Sequence, residues 1–310
     1  MTFRHPDPFE SFVAPARATP HFWRLICGVA FVEICFLFGG FALFNLLSTL
    51  DGPVAVQFTD GADTAGGDPT YGDTPGQLLM VLAVFIILIW GTVIAAALFH
   101  GRKPLSLIGA GPFREFLPFA GITIFVAVLA EVFVFNDPLT AQTQFGTLLL
   151  YLPVVLPLLA LQTGAEEIYY RGYIQTQLAA RFASPLIWMG APALFFAIAH
   201  VNLLHLWAEG AWEGNDGLWI LVFFSSGLLA ADLTRVTGSI GAAWGWHFGN
   251  NVYAILLVSM QGNMTGLALY TVPFGPDDPM IDGLIIGQIL CLHLILWALF
   301  RLRLLRRENG

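Results

Sequence analysis

The sequence predicts an all-α membrane protein: a polytopic bundle of about eight transmembrane helices with both chain ends in the cytosol. Three observations carry this. Of 310 residues, 57% are hydrophobic and only 11% charged, where soluble domains carry about 25% charged residues. Mean hydropathy is +0.73. Apolar stretches of about 20 residues, the length that crosses a bilayer, recur along the whole chain. The charges also divide by side. With eight crossings and both ends inside, every Lys and Arg falls on or toward the inner face. The outer loops then hold only acidic residues such as Asp51, Asp60, Asp137, Glu209, Asp277 and Asp282. The net charge of −8 reflects those outer loops rather than an acidic partner. No basic patch points to nucleic acid.

Each element follows in order. Residues 1–21 are polar and proline-containing, a cytosolic segment. The next run, with Phe31–Leu47 at its heart, exceeds the about 7–15 residues of a signal-peptide core and ends in no small-residue cleavage site, so it reads as a retained first span. The spans are expected near 22–48, 78–99, 115–136, 147–175, 184–206, 217–236, 239–259 and 283–300, together a transmembrane domain over 22–300. Gly, Asp and Thr enrich the outer loop from Asp51 to Gly76. Asn136-Asp137-Pro138 and the stretch Phe274–Pro279 mark turns. Arg301, Arg303, Arg306 and Arg307 make 301–310 a basic inner tail. The three cysteines, Cys27, Cys35 and Cys291, lie in apolar runs without metal-ligand spacing and read as packing residues.

Three polar clusters interrupt this apolar background: Glu166-Glu167 with Arg171, Phe196 with His200, and His247 with Asn251. Ionisable groups at membrane depth are costly, about 2.5–3.5 kcal/mol at a helix centre, and usually face a cavity where they do work. On a helix Glu167 and Arg171 stand at i and i+4 and can pair. Glu166 points about 100° away and has no basic residue at that spacing. The two carboxylates therefore divide into one braced and one available for proton transfer. His247 and Asn251, again four apart, converge on one point that could hold a water, a metal or a developing oxyanion. Each cluster alone has a plainer reading: a salt-bridged helix end, a core histidine, a polar clamp between helices. His205 reads as interfacial, His100 as a membrane-edge residue, His293 as packing, Glu131 as interfacial, and Asp232 with Arg235 as a surface pair. Glu33 lies inside the first span with no partner the sequence can name.

The ordered set EExxxR, FxxxH and HxxxN, with Gly172 completing EExxxRG and Gly238-Ser239-Ile240 preceding His247, resembles the CPBP family. These are intramembrane proteases related to the eukaryotic CAAX prenyl endoprotease and to bacteriocin-processing and immunity proteins. The resemblance covers about 160–255. It implies that Glu166 is the base that activates water and that His200 helps to hold that water. Glu167 and Arg171 would brace the helix, while His247 and Asn251 would stabilise the tetrahedral oxyanion, with Phe196 packing. Tyr169-Tyr170 and the extra His205 depart from the family pattern.

The expected activity is hydrolysis of a peptide bond in a membrane-associated peptide or protein of the cell membrane, with prenylated C-terminal processing as the best-known family form. A non-catalytic immunity or scaffold protein of the same fold is the alternative, and a proton-coupled transporter is a further one. Glu33→Gln should be nearly silent in a protease and damaging in a proton relay. No cofactor is required in the favoured reading. Zinc held by Glu166, His200 and His247 is the other option, although no HExxH motif supports it. The reading makes one geometric demand. If the fourth helix ended near Ala165, Glu166 would lie at the inner surface and far below His200. The helix must therefore continue past Arg171, with Pro153 and Pro157 ending an outer segment so that the span runs from about Val155 to about Ala180.

Overall fold

The computed structural model describes residues 7–48, 72–201, 206–208, 210–212 and 214–308. His205, Glu209, Glu213 and most of the expected outer loop lie outside the described residues. The chain folds as a polytopic helical bundle. Helix α1 (Pro8–Val13) is short; α2 (Phe22–Ser48) and α3 (Pro75–His100) follow. Next come α4 (Phe113–Phe135), α5 (Phe145–Arg181), α6 (Pro185–Ile198), α7 (Asp216–Thr237), α8 (Gly241–Asn251) and α9 (Gly283–Glu308). Six helices, α2, α3, α4, α5, α7 and α9, are long and apolar enough to cross a membrane. They and the two shorter helices, α6 and α8, occupy the eight places read from the sequence, and their direction alternates.

The alternation shows in what meets at each end. At one end Arg24 donates to the carbonyl of Phe99, Arg301 pairs with Asp232, and the amide of Ile240 bonds the carbonyl of Ile108. These are the arginine-bearing ends. At the opposite end Asp73 accepts from Thr265, and Asn215 donates to the carbonyls of Pro276 and Asp278. A three-stranded sheet also lies there, β1 (Thr140–Ala141), β2 (Val258–Ser259) and β3 (Tyr270–Thr271), in the order β1-β3-β2.

Three expected spans differ in extent. The fifth, expected over 184–206, stops at Ile198. His200 is the reason: its ring Nδ1 lies 2.7 Å from the carbonyl of Phe196, the acceptor that the next helical turn would use, and its backbone amide turns to Ala197 instead. The seventh continues beyond Asn251 only as wider π turns over Val252–Leu257. The fourth is longer than expected. Helix α5 runs unbroken for 37 residues through Pro153 and Pro157, about 55 Å at about 1.5 Å per residue against a hydrocarbon core of about 30 Å. The prolines do not end it; proline is tolerated in membrane-spanning helices packed among neighbours.

Close helix approach is set by small residues. Gly241, Gly245 and Gly249 form a stripe along α8, and a Cβ on each would meet backbone at Pro112, just before α4, and at Phe116 and Ala120 within it, at 1.9, 2.2 and 2.6 Å. Van der Waals contact of bare backbones drives such packing where lipid is as apolar as the side chains. The N-terminal segment docks on the arginine-bearing end: Phe9, Phe12 and Val13 are buried, and Phe9 meets Trp188 at 5.0 Å. Cys27 and Cys291 lie on the outside of the bundle, unpaired, not packed within it as expected.

Candidate active site

The site is built where α5 changes its pitch. Residues through Glu167 are α-helical, and Ile168–Gln175 form π turns before Thr176–Arg181 closes the helix. Such turns often occur at functional sites. The local sequence accounts for this one. Gly172 carries no side chain where the Leu107 carbonyl presses in, only 2.1 Å from where a Cβ would be. The carbonyl of Gly172 accepts from Thr176 Oγ1 at 2.6 Å and from Arg102 Nη2 at 3.3 Å. Arg102 also donates to Thr176 Oγ1 and to the Ser106 carbonyl, and burial pushes its guanidinium down to about 10.

Glu167 is fully buried and serves two partners. Its Oε2 pairs with Arg171 Nε at 3.3 Å, the expected i, i+4 pair. Its Oε1 lies 2.9 Å from His247 Nδ1. Arg171 is 2% exposed, donates to the carbonyl of Gly227 and sits over the Phe196 ring at 5.0 Å. Phe196 thus packs, as expected, and it packs on a cation.

The bond to Glu167 places a proton on His247 Nδ1 and turns Nε2 toward Glu166, 3.3 Å from Oε2. That second contact is at ion-pair distance but off the hydrogen-bond direction, so Glu166 Oε2 is buried without a hydrogen-bond donor among the described residues. Two carboxylates face one guanidinium and one imidazole. This is an arrangement that can take up and return a proton.

The remaining predicted residues are brought near but not into direct contact. Asn251, one turn beyond His247, donates from Nδ2 to Gln162 Oε1 at 3.0 Å. Gln162 is buried one turn before Glu166 on α5. Sequence reading missed it, although a lone amide at i−4 from a buried glutamate in an apolar helix is a signal. His200 is stacked on Phe223 with ring centroids 4.4 Å apart and lies close enough to Glu166 and His247 for their charges to act on it. It makes no hydrogen bond to either. Two outlying carboxylates gain partners the sequence could not name: Tyr169 donates to Glu33 at 2.8 Å and Tyr253 donates to Glu131. Asp232 holds Arg235, Arg301 and the Trp297 indole together, more than the expected surface pair. His100 bonds Thr19 and His293 bonds Ser225.

Among the described residues no three His, Cys, Asp or Glu side chains converge to hold a metal ion. His200 turns its Nδ1 to the carbonyl of Phe196, and Glu166, His200 and His247 do not form such a group.

Fold and site together define a multi-pass helical membrane protein with a buried carboxylate–imidazole centre on crossing helices. Residues 147–253 match the family model for type II CAAX prenyl endopeptidase Rce1-like proteins, a segment that contains Glu166, Glu167, Arg171, His200, His247 and Asn251. This agrees with the resemblance to CPBP family proteases carried by the motifs. A relative from Bacillus subtilis (strain 168), uncharacterized protein YyaK, is 22% identical over 284 residues, covering 88% of this chain and 90% of its own. No solved structure matches the chain significantly.

Proposed function

We propose that the protein is an intramembrane endopeptidase of the cell membrane. It hydrolyses a peptide bond in a membrane-associated peptide or protein by activating water without a metal. The Rce1-like match favours CAAX-type C-terminal processing, on a prenylated substrate, as the particular form. One observation carries the reading: Glu166 and His247 face each other across 3.3 Å inside the bundle, with the far side of the imidazole held by Glu167.

The chemistry follows from that pair. Glu166 takes a proton from water as the oxygen attacks the scissile carbonyl, while His200 steadies the water. With Nδ1–H held by Glu167, a protonated His247 keeps its second proton at Nε2 and donates a hydrogen bond from it to the developing oxyanion. The Asn251 amide, oriented by Gln162, adds a second donor. Glu166 then passes its proton to the leaving amine, and the carboxylate is restored.

The test is cleavage of a fluorogenic membrane peptide by the purified protein in vesicles. Glu166→Gln should lower the rate by about 10²–10⁴, the usual contribution of general acid–base catalysis. Unchanged cleavage, or a cellular phenotype that persists in this variant, would replace the protease reading with that of a non-catalytic membrane protein.

A further inference from the structure

A carboxylate outside the site has no role in the hydrolysis. Glu33 lies at the middle of the Phe22–Leu43 span, and its hydrogen-bond partner among the described residues is the neutral hydroxyl of Tyr169, at 2.8 Å. Beside it runs a groove of about 430 Å³ on the flank of the bundle, lined by Glu33, Ile34, Phe36, Leu37, Gly40 and Val84. Glu33 is the only polar side chain in that lining.

We propose that this groove docks a single transmembrane helix carrying a basic or other hydrogen-bond-donating side chain at mid-membrane depth. Shape and chemistry agree on that occupant. Residues 33, 36, 37 and 40 recur at three- and four-residue steps, so the groove follows the axis of α2, as a helix lying alongside would require. Gly40 has no side chain, which lets a second backbone approach. A carboxylate at this depth with one neutral hydroxyl on Oε1 keeps acceptor capacity for a further donor, and ionised groups in hydrocarbon are costly unless paired. Lipid acyl chains offer no donor there, whereas a Lys, Arg or Gln on a spanning helix does. Tyr169 stands two residues beyond Glu167, so the docked helix would lean on the helix that bears the site. The inference does not depend on the hydrolytic reading, because docking is read by binding alone.

The experiment measures energy transfer between labelled full-length protein and labelled single-span peptides of about 20 apolar residues in phosphatidylcholine vesicles. One peptide carries a central Lys and its control a central Leu. Glu166→Gln protein is used beside the unmodified protein so that cleavage cannot distort the reading. The Lys peptide should bind about five- to thirtyfold more tightly than the control, the range of one interhelical hydrogen bond in lipid. Glu33→Gln should remove most of that preference. Gly40→Leu should weaken binding while leaving the Glu33–Tyr169 bond in place, since a Cβ at Gly40 meets only Val84, at 3.6 Å. Equal affinity for both peptides, or a preference that survives both substitutions, overturns the proposal.

Discussion

Glu167 holds His247. Its Oε1 lies 2.9 Å from Nδ1, and its Oε2 is bound to Arg171 at 3.3 Å. The carboxylate first read as a brace for its own helix therefore also orients an imidazole 80 residues away. Removing one member of a buried, charged trio leaves the others uncompensated, at about 3–5 kcal/mol. Glu167→Ala should lower thermal stability in detergent by that order and abolish cleavage. Glu167→Gln keeps an acceptor for Nδ1–H but loses the charge facing Arg171. It should retain more stability than Ala while still lowering kcat. A Glu167→Ala protein as stable as the parent would show that the trio does not tie α5 to α8.

Gln162 and Asn251 act as one unit in the proposed mechanism, because the amide of Asn251 is aimed by the oxygen of Gln162. Gln162→Leu should cost about 1–3 kcal/mol of transition-state stabilisation, read as a fall in kcat with KM little changed. Asn251→Ala should cost at least as much. The double variant should be no worse than Asn251→Ala alone. Additive losses in the cycle would separate the two residues.

How much of this was legible depends on the range of each contact. Helical spacing gave the Glu167–Arg171 pair, the different heading of Glu166 and the shared face of His247 and Asn251, because i, i+4 relations are local. The requirement that α5 run past Arg171 came from the same arithmetic, and the helix does continue to Arg181. The contacts of His247 with both glutamates, and of Tyr169 with Glu33, join separate helices, and no spacing rule predicts them. The prolines at 153 and 157 misled because they break helices in water more readily than in a packed membrane bundle. The early end of α6 was hidden for another reason: a side chain, His200 Nδ1, takes the carbonyl that the backbone would have used. Gly241, Gly245 and Gly249 were readable as a small-residue stripe and would have paired α8 with a neighbour, though not with α4 in particular.

That stripe predicts a cost for the smallest possible change. A Cβ at Gly245 would lie 2.2 Å from the carbonyl of Phe116, which is backbone and cannot swing aside. Gly245→Ala should therefore push α8 off α4 and destabilise by about 1–3 kcal/mol, as overpacking does. His247 is two residues on, so cleavage should fall more than stability alone explains. Thermal unfolding and kcat measured on the same preparation check both. Full activity in Gly245→Ala would mean that the site tolerates movement of the helix that carries its imidazole.

Metal dependence is decided by the same imidazole. His247 has a carboxylate at each ring nitrogen, at 2.9 and 3.3 Å. A zinc ion would need one of those nitrogens together with Glu166 and His200, at about 2.0–2.2 Å from each donor. The 3.3 Å between His247 Nε2 and Glu166 Oε2 already suits two such ligands, so the third is decisive: His200 turns Nδ1 to the carbonyl of Phe196, and no third His, Cys, Asp or Glu completes the set among the described residues. The metal-free reading thus predicts that prolonged treatment with a strong zinc chelator, followed by its removal, leaves kcat/KM within about twofold, below about 0.5 kcal/mol by transition-state arithmetic. Elemental analysis of the treated, active protein should find zinc well below one equivalent. Activity lost on chelation and restored by added zinc, with Glu166, His200 and His247 each needed for the restoration, would place a metal at the centre and make Glu166 a ligand instead of the base.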